Sequence, residues 1–210
     1  MNLKLVWLAL SFALFTSAGA ADSLDDLLNI GGEELRILTA PPKHAPFYHG
    51  KTLTLTRDSL ETGWVNNYQC HRNFSKIPRL EIGFREGSVR KLAIVRAESV
   101  GAHEVVDSGI RLEDVRPETE ICLTGEARVL QRVEAGRYRL LTGPFFYKFL
   151  DGYFPVEVEL TIRYPAELLT FTASTPAPAP GINFSNNAGE LRFQSVFEGR
   201  LWVELVFDRK

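Results

Sequence analysis

Apolar and polar positions alternate in short runs through most of this chain. Leu53 and Leu55 alternate with Thr52, Thr54 and Thr56, β-branched polar residues suited to the wet side of a strand. Leu80, Ile82 and Phe84 alternate with Arg79, Glu81 and Arg85, and Leu92 and Ile94 continue the pattern after a turn at Gly87 and Ser88. The longest run is Val156, Val158, Leu160, Ile162 and Tyr164, set against Glu157, Glu159, Thr161 and Arg163 and stopped by Pro165. Successive strand side chains point to opposite faces, so this run predicts a strand with one dry and one wet face. Leu169, Phe171 and Ala173 predict a partner strand for it. Leu191 to Phe197 and Leu201 to Phe207, joined by Glu198 and Gly199, predict a closing hairpin. Trp202 and Val206 make the last strand apolar on its second face at points, which places it inside a sheet or under a covering segment.

Roughly a dozen such runs, separated by turn residues, predict a mainly β protein: an antiparallel β-sandwich or barrel-like fold with one or two short helices. The clearest helix is Asp22 to Ile30, with Asp22 or Ser23 as cap, an apolar stripe of Leu24, Leu27, Leu28 and Ile30, and Gly31 and Gly32 at its end. Pro176, Pro178 and Pro180 alternate with Ala and precede Gly181, which predicts a stiff Pro-rich loop over 174–183. Only hairpin-sized material follows it, too little to fold alone. Residues 21–210 are therefore expected to form a single β-rich domain.

The first twenty residues change the picture. Lys4, an apolar stretch from Leu5 to Phe15, and Ala18, Gly19 and Ala20 form a signal peptide with cleavage expected after Ala20. That stretch is shorter than the roughly 20 apolar residues a membrane span needs, and no later segment is long enough. The expectation is a periplasmic or secreted protein with no transmembrane segment after cleavage. A formal net charge of −2 lacks the basic excess of a nucleic-acid binder. The only cysteines, Cys70 and Cys122, then predict one disulfide tying an early strand to a middle one. No CxxC spacing points instead to redox or haem chemistry.

The densest candidate for function is aromatic. Phe145, Phe146, Tyr147, Phe149, Tyr153 and Phe154 lie between Pro144 and Pro155, with Asp151 and Gly152 as a turn. Phe145, Phe146 and Phe149 would share one face of a helical turn, and Tyr153 and Phe154 would feed the strong strand. Such a group either plugs the core or lines a site, since aromatic side chains dominate both. As a site, Phe145, Phe146, Phe149 and Tyr153 would desolvate a partner or an apolar ligand, with Lys148 orienting an acidic group.

Histidine offers a second possibility: His44 and His49 near Pro41, Pro42 and Pro46, with His71 as a third metal ligand. His103 to Asp107 imitates a zinc-protease signature, but that chemistry needs a helix. On a strand the two ends stand roughly 13 Å apart. No GxSxG elbow or phosphate-binding Gly-rich loop is present. Arg79, Arg85, Arg90, Lys91 and Arg96 interleave with Glu81, Glu86 and Glu98, the pattern of a salt-bridged strand surface.

These readings predict an exported, non-catalytic β-sandwich protein, without a cofactor, that binds an envelope protein partner or an apolar small molecule as an accessory factor. The alternatives are a periplasmic metal-binding protein using His44, His49 and His71, and a cell-envelope hydrolase whose site the fold assembles.

Overall fold

The computed structural model describes residues 35–107, 109–149 and 152–210. The expected signal peptide and the expected Asp22–Ile30 helix lie outside these residues. The described chain begins with β1 (Arg36–Ile37), β2 (Phe47–Thr54), one four-residue helix α1 (Ser59–Thr62), β3 (Trp64–Arg72), β4 (Ile77–Gly83) and β5 (Val89–Glu98). It continues through β6 (Ala102–Val106), β7 (Gly109–Val115), β8 (Glu120–Arg128), β9 (Leu130–Glu134), β10 (Arg137–Phe145), β11 (Lys148–Phe149) and β12 (Gly152–Tyr153). The last five strands are β13 (Val156–Arg163), β14 (Leu169–Thr175), β15 (Ile182–Asn187), β16 (Glu190–Glu198) and β17 (Leu201–Arg209). The fold is mainly β, as the alternation predicts. Among the described residues no helix is long and apolar enough to cross a membrane.

An eight-stranded sheet runs β1-β16-β13-β2-β3-β8-β5, with β15 also on β16. A four-stranded sheet runs β14-β17-β10-β9, a three-stranded one β4-β7-β6, and β11 pairs with β12. Strands β2 and β13 pair in parallel, and every other pairing among the described strands is antiparallel. All three larger sheets feed one core. Val158 and Leu160 of β13, Val203 and Leu205 of β17, and Ile110 and Leu112 of β7 are all buried within it. Packed sheets sharing a core make a β-sandwich arrangement.

Two pairings differ from those the sequence predicts. β16 and β17 do not form a hairpin: β16 pairs with β13, β15 and β1, whereas β17 pairs with β10 and β14. The chain crosses from one sheet to the other at Gly199 and Arg200. Each strand buries its odd-numbered residues, and opposed sheets satisfy that pattern as well as adjacent strands do. For the same reason β14 pairs with β17 and not with β13. The last strand does lie inside a sheet, between β14 and β10.

Cys70 and Cys122 form the expected disulfide, between directly opposed residues of neighbouring β3 and β8. Closing a loop of 52 residues stabilises the fold by about 4 kcal/mol in the chain-entropy picture. Four of the five residues of the basic zone are ion-paired, partly through acids on adjacent strands. Arg79 meets Glu113, Arg90 and Lys91 share Glu126, and Arg96 meets Glu98.

Candidate functional site

The aromatic segment is extended where a helical turn was expected, and that divides its side chains. β10 ends in a bulge at Gly143 and Pro144, where the four residues from Thr142 to Phe145 oppose the three from Val203 to Leu201. Gly143 has φ +123°, and a Cβ there would lie 2.7 Å from the carbonyl oxygen of Leu201, so the bulge requires glycine. The extra residue resets the alternation, and Thr142 and Phe145 both face the core, 1% and 2% exposed. Phe146 points outward and is 43% exposed.

Outside, Phe146 lies edge-on to Tyr153 at 6.3 Å. The Arg200 guanidinium sits 5.5 Å from the Phe146 ring, and its Nε donates to the Tyr153 hydroxyl at 2.9 Å. Lys148 Nζ lies 4.8 Å from the Tyr153 ring. Inside, Tyr147 stacks on Phe47 at 4.4 Å and meets Phe149 edge-on at 4.7 Å, while Phe149 meets Phe154 at 5.3 Å. Phe145 and Phe146 therefore cannot act on one ligand as neighbours on a common face.

A cleft of about 840 Å³ opens beside the inner group, within the range of small-molecule sites. Pro41, Pro46, Phe47, Phe74, Tyr147 and Phe154 give it an apolar lining, and Arg36, Lys43, His44 and Glu198 supply charged or polar edges. The backbone N–H of Ser75 donates to the Tyr147 hydroxyl at 2.9 Å, which satisfies that buried oxygen and fixes the ring. Arg36 is paired with Glu198. Tyr147 and Phe154 come from the predicted aromatic segment, whereas Phe74 was not anticipated.

Phe47 links this cleft to a polar cluster in the interior. Its ring also stacks on His71, at 5.7 Å and 18°. His49 and His71 are opposed residues of β2 and β3, with ring centroids 4.3 Å apart. Lys51 and Gln69 form the next inward pair, followed by Leu53 and Asn67. Phe145 covers this surface from the opposite sheet, edge-on to His49 at 4.9 Å and 5.8 Å from Lys51 Nζ.

Burial dominates the electrostatics here. It holds His49 well below the ordinary histidine value, with the charges of His71 and Lys51 acting in the same direction. Burial and then Lys51 bring His71 down to about 3, so both rings are neutral at pH 7. Burial also lowers Lys51 to about 8. Gln69 Nε2 lies 3.2 Å from His71 Nε2. His49 Nε2, both side-chain polar atoms of Asn67, Gln69 Oε1, His71 Nδ1 and Thr142 Oγ1 are buried without a hydrogen-bond partner.

The three histidines proposed for a metal do not converge. His44 is exposed on the cleft edge, apart from the His49–His71 pair. Among the described residues, the group of three possible ligands within 4.8 Å is Cys70, Glu120 and Cys122, and its two sulfurs are joined in the disulfide. His103 stands exposed on β6, and neither it nor His71 is hydrogen-bonded to a serine or carboxylate among the described residues.

Sequence reasoning missed Lys51, Asn67, Gln69 and Thr142. The signal was phase. Phe47, His49, Lys51 and Leu53 share one strand face, as do Val65, Asn67, Gln69 and His71, so the polar residues occupy core positions. No protein-family model matches the chain, and no curated protein matches it in sequence.

Proposed function

We propose that this is an exported, non-catalytic binding protein that holds a small apolar molecule in the cleft walled by Phe47, Phe74, Tyr147 and Phe154. The cleft itself carries the reading: it has a small-molecule volume and a ring-rich lining whose one buried hydroxyl, on Tyr147, is already satisfied. An apolar ligand there gains by leaving water and forfeits no hydrogen bond from the floor. Export rests on the leader-like first twenty residues, and a disulfide fits an oxidising compartment. The aromatic cluster contributes through its inner side, with Phe149 backing Tyr147 and Phe154. Phe146, Tyr153 and Lys148 would serve a protein partner instead, on the outer side.

N-phenyl-1-naphthylamine, an uncharged apolar fluorophore, tests the reading by titration. Saturable binding that weakens in Phe74→Ala and Tyr147→Ala but not in Phe146→Ala supports the cleft. Equal weakening in all three variants, or no saturable binding, refutes it.

A further inference from the structure

A lysine ammonium among buried amides, with no acid beside it, is an incomplete arrangement. Lys51 projects from the inner face of β2, between the buried residues Phe47 and Leu53 along the same alternation, and reaches over the ring of Phe145. The groups around it are His49, His71, Gln69 and Phe145, and no Asp or Glu of the described residues pairs with it. A charge taken out of water needs an opposite charge or several hydrogen bonds. Lys51 and His49 are half-buried as residues, although His49 Nε2 itself is buried and both side chains lie on the inward strand face.

The cluster is also short of partners for its neutral groups. Asn67, Gln69, His71 and Thr142 are 1–2% exposed, and each leaves at least one polar atom unpaired. Native proteins rarely leave buried polar atoms unpaired, and each such atom calls for an explanation such as a bound water, ion or ligand. Asn67 offers one donor and one acceptor, Gln69 an acceptor, and Thr142 a hydroxyl able to do either. A metal cation is a poor fit because it would face the ammonium. Water would pair the amides but leave Lys51 without a counter-charge. An anion that also carries a donor answers both needs.

We infer that the polar cluster around Lys51 is a second binding site, for a small organic carboxylate bearing a hydroxyl or amide. Its carboxylate would meet Lys51, and its hydroxyl or amide would meet Asn67, Gln69 and Thr142. This site shares no lining residue with the cleft except through Phe47, which separates them, and it stands whether or not the cleft holds an apolar ligand.

Glycolate is the simplest probe, with glycolamide as its uncharged counterpart, each read by calorimetry and by the shift in melting temperature of the full mature protein. Glycolate is expected to bind and to raise the melting temperature at concentrations up to about 10 mM, and glycolamide is not. Lys51→Met, which keeps the side chain's length, is expected to weaken glycolate binding roughly thirtyfold or more and to leave N-phenyl-1-naphthylamine binding unchanged. Tyr147→Ala is expected to do the reverse. Equal effects of glycolate and glycolamide, no effect of either, or glycolate affinity retained in Lys51→Met would overturn the site. Should Lys51→Met fail to fold, the Lys51 ammonium can be titrated by NMR in the wild-type protein. Bound glycolate should shift that titration upward, and an unmoved titration overturns the proposal.

Discussion

Replacing His71 with Phe should remove one proton's worth of acid sensitivity from this protein. An unfolded chain protonates His71 as pH falls through its ordinary value of 6.5, whereas the folded protein resists protonation down to about 3. The unfolded state therefore binds more protons across that interval. The stability tied to a neutral His71 is fully present above pH 6.5 and is lost progressively towards pH 3. Each pH unit costs about 1.4 kcal/mol per proton, so at pH 4 His71 alone accounts for a loss of about 3 kcal/mol. His49 is displaced in the same direction, chiefly by burial, and adds a second increment that is partly coupled to His71 through their mutual repulsion. Carboxylates held low by ion pairs, such as Glu126 and Glu190, also withdraw stability in acid, but they are common to wild type and variant. Urea denaturation at pH 4, 5, 6 and 7 isolates the histidine term as a difference. Phe preserves much of the ring volume against Phe47, and leaving Gln69 without its His71 partner costs the same at every pH in this range. The gap between wild type and His71→Phe should move by about 3 kcal/mol in the variant's favour between pH 7 and pH 4. A gap that stays constant would show that His71 is solvated or already charged in the folded protein.

Lys51→Met should stabilise the protein at pH 7 by about 3 kcal/mol in the absence of an anion, because burial lowers the folded lysine to about 8 from 10.5. That penalty is complete below pH 8 and fades as pH rises to 10.5, so a variant less stable than wild type at pH 7 would contradict it. Phe145→Ala should cost about 3–5 kcal/mol by emptying a site sealed between the sheets, whereas Phe146→Ala should cost less than about 1 kcal/mol. Equal losses in thermal or urea unfolding would restore a shared face for the two rings. Cys70→Ala with Cys122→Ala should lower unfolding free energy by about 4 kcal/mol, measured against the oxidised protein. A loss under about 1 kcal/mol would mean that β3 and β8 are held by their ladder alone.

Strand identity was legible wherever one face is dry and the other wet. Val156 to Arg163 is the plainest case, and its observed burial alternates residue by residue from Val156 to Arg163. Pairing was less legible, because alternation fixes which face is buried but not which strand lies alongside. Gly199 and Arg200 can join neighbours in one sheet or carry the chain to another, and the odd-numbered core residues on both sides suit either outcome. The aromatic segment defeated periodicity for a different reason. Phe145, Phe146 and Tyr147 form an unbroken apolar run compatible with helix or strand, and the bulge before them resets the phase. The interior polar group is hidden while His44, His49 and His71 are read together as metal ligands. Read by position, His49 and Lys51 occupy the same phase as Phe47 and Leu53, which is where a polar residue demands an explanation.

Native mass spectrometry of the protein purified from its own host tests the binding reading most directly. A small-molecule adduct should be retained on the folded wild-type chain and lost from correctly folded Tyr147→Ala and Phe74→Ala. A bare chain mass, or an adduct indifferent to both substitutions, would contradict it.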